Sequence, residues 1–145
     1  VPTDYAEVSP KVAMRCARLS HAGSLDSSHP EVGTGAAGKS SAGEFVRIQL
    51  KVRRERILEA KFKAFGCSGS IASASLAAEW AEGKTLEEAA SIRESELAAA
   101  LELPPTRRHC STLAEEALHC AIQNYREKCQ QRENLSSIVS TGGSR

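Results

Sequence analysis

The chain has 145 residues, with 19 Lys+Arg against 18 Asp+Glu, for a formal net charge of +1. That length fits one domain, and the balanced charge gives no field that steers a polyanion, which argues against a general nucleic-acid binder. The apolar runs are too short to span a bilayer, and the N-terminus shows no secretory pattern. Since it opens on Val1 rather than Met, the chain reads as a processed or trimmed product. Five cysteines occur, with wide spacings and no CxxC, which reads as reduced thiols rather than a disulfide framework. Ala is abundant and aromatics make up 4% of residues, so a compact, helix-rich core is expected.

In chain order, residues 1–22 read as a polar start followed by a short helix over 11–19, with Pro10 suited to its first turn. Residues 23–43 are rich in Gly, Ser and small side chains and read as loop with at most a short strand. Phe45, Ile48, Leu50 and Val52 then interleave with Arg47, Gln49 and Lys51, the alternation of a half-buried strand. A charged break at residues 53–56 leads to a second strand, with Ala60, Phe62 and Ala64 on one face and Lys61 and Lys63 on the other. The pair predicts a hairpin, and without Gly or Asn at its tip the connection is expected to exceed two residues.

After Gly66 the period turns helical, with Ile71, Leu76 and Trp80 on one side and Gly83 placed to end the element. Thr85 and Glu88 form a capping box for a short helix. Ser95 is read as the cap of another helix over 96–102, which Pro104-Pro105 ends. Leu113, Ala117, Leu118, Ala121, Ile122 and Tyr125 mark a final helix over 110–129, and residues 130–145 read as a disordered tail. Strands segregated from helices predict an α+β fold: a small three-stranded antiparallel sheet with helices packed on one face and a long C-terminal helix.

Three signals bear on chemistry. Gly33-Thr-Gly-Ala-Ala-Gly38-Lys39-Ser40 satisfies the P-loop pattern letter for letter. A P-loop must join a buried strand to a helix N-terminus. Polar residues 26–31 precede this string and a strand pattern follows it, so a flexible Gly-rich loop is preferred to a nucleotide-binding enzyme. Second, Cys67 lies between a strand end and a helix start, where the N-terminal field stabilises a thiolate; a small thiol buried under a tight turn is an equal reading. Third, His109-Cys110 opens the last helix, so the pair is either a metal-binding first turn or a helix-entry Cys with an exposed His. Cys16, Cys120 and Cys129 are read as structural thiols.

Taken together the segments resemble the IscU-type iron–sulfur cluster assembly scaffolds, related to the N-terminal domain of NifU. The resemblance runs over residues 23–125, through Gly23-Ser-Leu-Asp26, Ile48-Gln-Leu-Lys-Val52, Ala60-Lys-Phe-Lys-Ala-Phe-Gly-Cys67, Gly83-Lys-Thr-Leu-Glu-Glu-Ala89, Leu103-Pro-Pro105 and His109-Cys-Ser111. It implies a scaffold domain over 23–129 and a role as a scaffold rather than an enzyme: sulfur arrives as persulfide from a cysteine desulfurase, iron joins it, and a [2Fe–2S] cluster is built and passed on. It assigns Cys67 and His109 as ligands and Cys110 as ligand and persulfide acceptor. The family's first ligand Cys falls at Ala42, and its Asp falls at Glu44. The remaining donors, Glu44, Cys67, His109 and Cys110, suit zinc or iron. Leu103, Pro104, Pro105, Thr106 and Arg107 correspond to a chaperone-docking segment in which Thr106 replaces an apolar Val. The implied partners are the desulfurase, a frataxin-type protein, a ferredoxin, and a heat-shock-type chaperone with its co-chaperone. The implied compartment is bacterial cytoplasm or mitochondrial matrix. The loss at Ala42 also admits a degenerate paralogue that binds the desulfurase, and zinc, without building clusters.

Overall fold

The structure, a computed structural model, describes residues 10–16, 21–39, 43–105 and 108–143, with side chains as far as residue 132. The element order is α1 (Pro10–Cys16), β1 (Val32–Lys39), β2 (Glu44–Arg53), β3 (Arg56–Phe65), α2 (Ser68–Ala81), α3 (Leu86–Ala90), α4 (Glu94–Leu101) and α5 (Arg108–Gly143). The strands form one antiparallel sheet in the order β1-β2-β3. Val46, Ile48, Leu50 and Val52 of β2, with Ile57, Ala60 and Phe62 of β3, are buried beneath the helices. The fold is therefore the α+β architecture expected from the alternation, with α5 lying on β1 and β2 and α2 on β2 and β3. No helix among the described residues is long and apolar enough to cross a membrane.

The Gly-rich segment departs from the expected loop. It is β1, an eight-residue strand covering Gly33 to Lys39 of the P-loop-like string. A Cβ on Gly33 would lie 2.2 Å from the Ala121 carbonyl oxygen, and one on Gly35 would lie 2.2 Å from both the Ala117 oxygen and the Ala121 nitrogen. These glycines let strand and helix backbones touch, and among the described residues the next element is the strand β2 rather than a helix N-terminus that could receive a phosphate. Three further contacts fasten α5 to this edge. Asn124 Oδ1 accepts the Thr34 amide at 3.0 Å. Lys128 Nζ donates to the carbonyls of Ser27 and Val32 at 2.6 and 2.8 Å.

The hairpin is tighter than expected. Its connection is the two-residue Arg54-Glu55, with φ of 54° and 65°. Non-glycine residues in this region cost on the order of 1 kcal/mol each, and outside contacts hold the turn. The Glu55 carbonyl accepts the Leu86 amide at 2.9 Å, and Arg56 Nη1 donates to the Gly83 carbonyl at 2.6 Å. A bulge at Lys51/Val52 leaves Leu58 without a partner, so Ile57 and Ala60 both face the core.

Both bonds of the Thr85–Glu88 capping box form. Ser95 does not cap α4; the helix starts at Glu94, whose amide donates to Glu115 Oε1 of α5 at 3.2 Å. A tertiary partner there takes over the local cap. The last helix also outruns its apolar stripe and the expected stop near Cys129, continuing to Gly143 where a disordered tail was anticipated. Residues 130–141 contain neither Gly nor Pro, so nothing local ends it.

Replacing Gly35 by Ala drives a methyl into two backbone atoms of α5 and is expected to cost about 3 kcal/mol. Gly43→Ala, at φ 83° with open space around its Cβ, is expected to cost about 1 kcal/mol. Urea denaturation midpoints check this, and equal losses would contradict the backbone contact.

Candidate metal centre

Three pieces of backbone meet at one end of the sheet. The first is the start of β2, which carries Glu44. The second is the junction between β3 and α2, where Gly66 at φ 136° turns the chain and Cys67 becomes the N-cap of α2. A Cβ on Gly66 would stand 3.2 Å from Glu44 Cγ and from the Gly43 oxygen, so glycine allows the two pieces to approach. The third is the first turn of α5, with His109 and Cys110. Gly69 belongs to the same construction, because a Cβ there would lie 3.1 Å from Cys110 Sγ.

The donor atoms are close. Cys67 Sγ and Cys110 Sγ are 3.2 Å apart. Cys110 Sγ is 3.7 Å from His109 Nε2, which is 3.0 Å from Glu44 Oε1. Ligand atoms of Glu44, His109 and Cys110 all lie within 4.8 Å of one another. Cys110 is fully buried, Cys67 and Glu44 are half-buried, and His109 is exposed. The cluster is thus half open, with the Cys110 sulfur shielded and the His109 ring facing solvent.

The two thiols are not equivalent. The Cys67 thiol is pulled down to about 5, chiefly because its thiolate accepts a hydrogen bond from Cys110. Ser70 Oγ, 3.6 Å away, and the amides of Gly69 and Ser70 at the start of α2 add to this against the opposing effect of burial. Cys110 is pushed up, first by that same bond and then by burial. The arrangement is thus a buried thiol donating to a neighbouring thiolate, with the negative charge on Cys67 rather than on Cys110.

Glu44, His109 and Cys110 offer a carboxylate oxygen, an imidazole nitrogen and a sulfur that could share one ion, and Cys67 adjoins them through its contact with Cys110. Two sulfurs each about 2.3 Å from one metal stand about 3.8 Å apart in that geometry. The observed 3.2 Å pair would open only slightly.

Of the four donors named from the sequence, Glu44, His109 and Cys110 form one group, and Cys67 touches it through Cys110. Ala42, Thr106 and Arg107 lie outside the described residues. Leu103 packs half-buried against the core, with Pro104 half-buried and Pro105 exposed. Cys120 is exposed, and Cys129 sits under Arg132, whose Nη2 donates to its sulfur at 3.2 Å. Sequence reasoning missed the Ser70 hydroxyl beside Cys67, and it missed the place of Cys16, whose Sγ lies 3.5 Å from the Ser68 carbonyl oxygen. Nothing in sequence spacing marks that contact, which joins residues 52 apart through packing of α1 on α2.

Thiolate ultraviolet absorbance is expected to show one group titrating at about 5, charged above that pH and neutral below it. In Cys110→Ala the donor is gone, and the midpoint is expected to move up toward the free-Cys value of about 8.5. An unmoved midpoint would contradict the hydrogen-bonded pair.

The comparisons with known proteins bear on the family and the fold. The model of the NifU-like N-terminal domain family matches residues 8–132. The iron–sulfur cluster assembly scaffold protein IscU of Azotobacter vinelandii is 49% identical over 107 residues, covering 73% of this chain and 84% of that protein. Iron–sulfur cluster assembly protein 3 of Arabidopsis thaliana is 41% identical over 147 residues, covering 97% and 86%. Among solved structures, FiSufU from the thermophile Fervidobacterium islandicum AW-1 superposes with a TM-score of 0.65 at 20% identity, covering 81% of this chain and 98% of that one. That last likeness bears on the fold, and the first two are relationships of sequence. On these grounds the chain belongs to the NifU-like N-terminal domain family.

Proposed function

We propose that the protein is a scaffold on which iron–sulfur clusters are assembled and from which they are passed on. The observation that carries this reading is the meeting of Glu44, Cys67, His109 and Cys110 from three separate elements, in a family whose sequence relatives bear that role in their names. The cluster is cargo, so the chain binds and releases a product rather than turning over a small substrate.

The thiol pair suggests how sulfur enters. A cysteine desulfurase presents a persulfide, and Cys110 sulfur attacks its outer sulfur. The Cys110 proton passes to the Cys67 thiolate 3.2 Å away. The S–S bond to the desulfurase breaks, and the desulfurase cysteine leaves as thiolate. The new Cys110 persulfide then needs two electrons, from a reductant such as a ferredoxin, to yield sulfide for iron. A frataxin-type protein fits the iron-delivery stage. A heat-shock-type chaperone with its co-chaperone fits release, docking at residues 103–107. The setting would be bacterial cytoplasm or mitochondrial matrix.

A [2Fe–2S] cluster takes four protein ligands, and mixed Cys/His ligation is established chemistry. A carboxylate is a harder donor than a thiolate and suits cluster iron less well. Ala42, where the resemblance puts a ligand Cys, therefore favours a second reading: a paralogue that engages the desulfurase and holds zinc without building clusters.

Anaerobic reconstitution with a desulfurase, ferrous iron and reductant separates the two. The scaffold reading expects visible cluster absorption with matching labile sulfide, and longer-lived absorption in Ala42→Cys. Desulfurase binding with zinc but no cluster in either protein would overturn it in favour of the paralogue.

A further inference from the structure

Cys67 and Cys110 belong to separate elements, the N-cap of α2 and the first turn of α5, yet their sulfurs stand 3.2 Å apart. Glycines make this approach possible. A Cβ at position 69 would stand 3.1 Å from Cys110 Sγ, and Gly66, at φ 136°, turns the chain into Cys67. The sulfurs of a disulfide are about 2.05 Å apart. The pair is therefore about 1.2 Å short of bonding distance, a gap that small side-chain rotations close. Cys110 is fully buried, so the sulfur that lies against it is that of Cys67 rather than a solvent thiol.

We infer that Cys67 is the resolving thiol for the sulfur that Cys110 accepts. The inference rests on the scaffold reading above and deepens it. Once Cys110 carries a persulfide, Cys67 lies against the inner sulfur, Cys110 Sγ. The Cys67 proton passes to solvent, and the thiolate attacks that inner sulfur. The S–S bond between Cys67 and Cys110 forms. The bond from Cys110 to the outer sulfur breaks, and the outer sulfur leaves with the electron pair as hydrosulfide. The outer sulfur is reduced and the two cysteines are oxidised to a disulfide, so release itself draws on no external electrons. The two electrons enter one step later, when a dithiol reductant reopens the disulfide and returns both thiols. Attack on the outer sulfur would only move the persulfide to Cys67. The reaction that must follow each release is therefore thiol–disulfide exchange.

Two measurements on the full chain test this. In the first, sulfur-free protein is treated with an aromatic disulfide reagent and digested without reductant. Mass spectrometry is expected to find a peptide linking Cys67 to Cys110. In the second, Cys110 is loaded by a desulfurase with cysteine and, in parallel, by inorganic polysulfide, then desalted and left without reductant. Wild type is expected to release one hydrosulfide per persulfide and to gain the linked peptide. Cys67→Ser is expected to keep its persulfide and lose the release, and Cys129→Ser, a remote thiol control, to behave as wild type. Far-ultraviolet circular dichroism checks that each variant is folded. No linked peptide, equal persulfide lifetimes in wild type and Cys67→Ser, or a persulfide found on Cys67 would overturn the inference and leave the scaffold reading standing. If polysulfide alone loads Cys110, the scaffold reading falls and that arm still decides the role of Cys67. If neither source loads it, both fall.

Discussion

The contact on which the structure depends is backbone against backbone: Gly33 and Gly35 of β1 under Ala117 and Ala121 of α5. Any side chain on those two strand positions would displace the helix, since the space left for a Cβ is 2.2 Å from main-chain atoms. The small residues on both sides set how low α5 rides on the sheet. Lys128 and Asn124 then fix its position along the strand edge through bonds to main-chain atoms of the loop and β1. A rigid helix transmits that placement to its first turn, and there His109 and Cys110 meet the end of the sheet. Dispersion and exclusion of water do the holding, and the chemistry at the far end inherits the geometry.

At that end the electrostatics follow from where helices begin. Cys67 caps α2 and feels the amides of Gly69 and Ser70; Cys110 lies in the first turn of α5 but is buried. Of two thiols sharing one hydrogen bond, the one with amides and water nearby keeps the charge, and the enclosed one keeps the proton. This division sets a protonated thiol 3.2 Å from a thiolate able to accept its proton. His109 and Glu44 stand at the open side of the cluster. The hydrogen bond between them runs through Nε2 and holds the imidazole edge toward Glu44.

Much of this was legible in the residues. The alternation from Phe45 to Phe65 marked two strands and their buried face, the capping box marked α3, and the apolar stripe marked α5. The resemblance proposed Glu44, Cys67, His109 and Cys110 as donors, and local patterns alone left Cys67 and Cys110 undecided. Three things were not legible, each for a physical reason. Gly33 and Gly35 read as loop because glycine lowers strand propensity; only the helix pressed on them explains their use. The Arg54-Glu55 turn adopts positive φ that its residues disfavour, stabilised by contacts from Leu86 and Gly83 far along the chain. Cys16 reaches the start of α2 through packing of α1, which no local period encodes.

The central claim is that sequence-distant thiols and an imidazole converge into one metal-competent site. X-ray absorption at the zinc edge of the zinc-loaded protein tests it most directly. The account predicts a first shell with sulfur at about 2.3 Å together with nitrogen or oxygen at about 2.0–2.1 Å, and loss of sulfur scattering in Cys67→Ser. A shell of nitrogen and oxygen alone, or one that Cys67→Ser leaves unchanged, would contradict it.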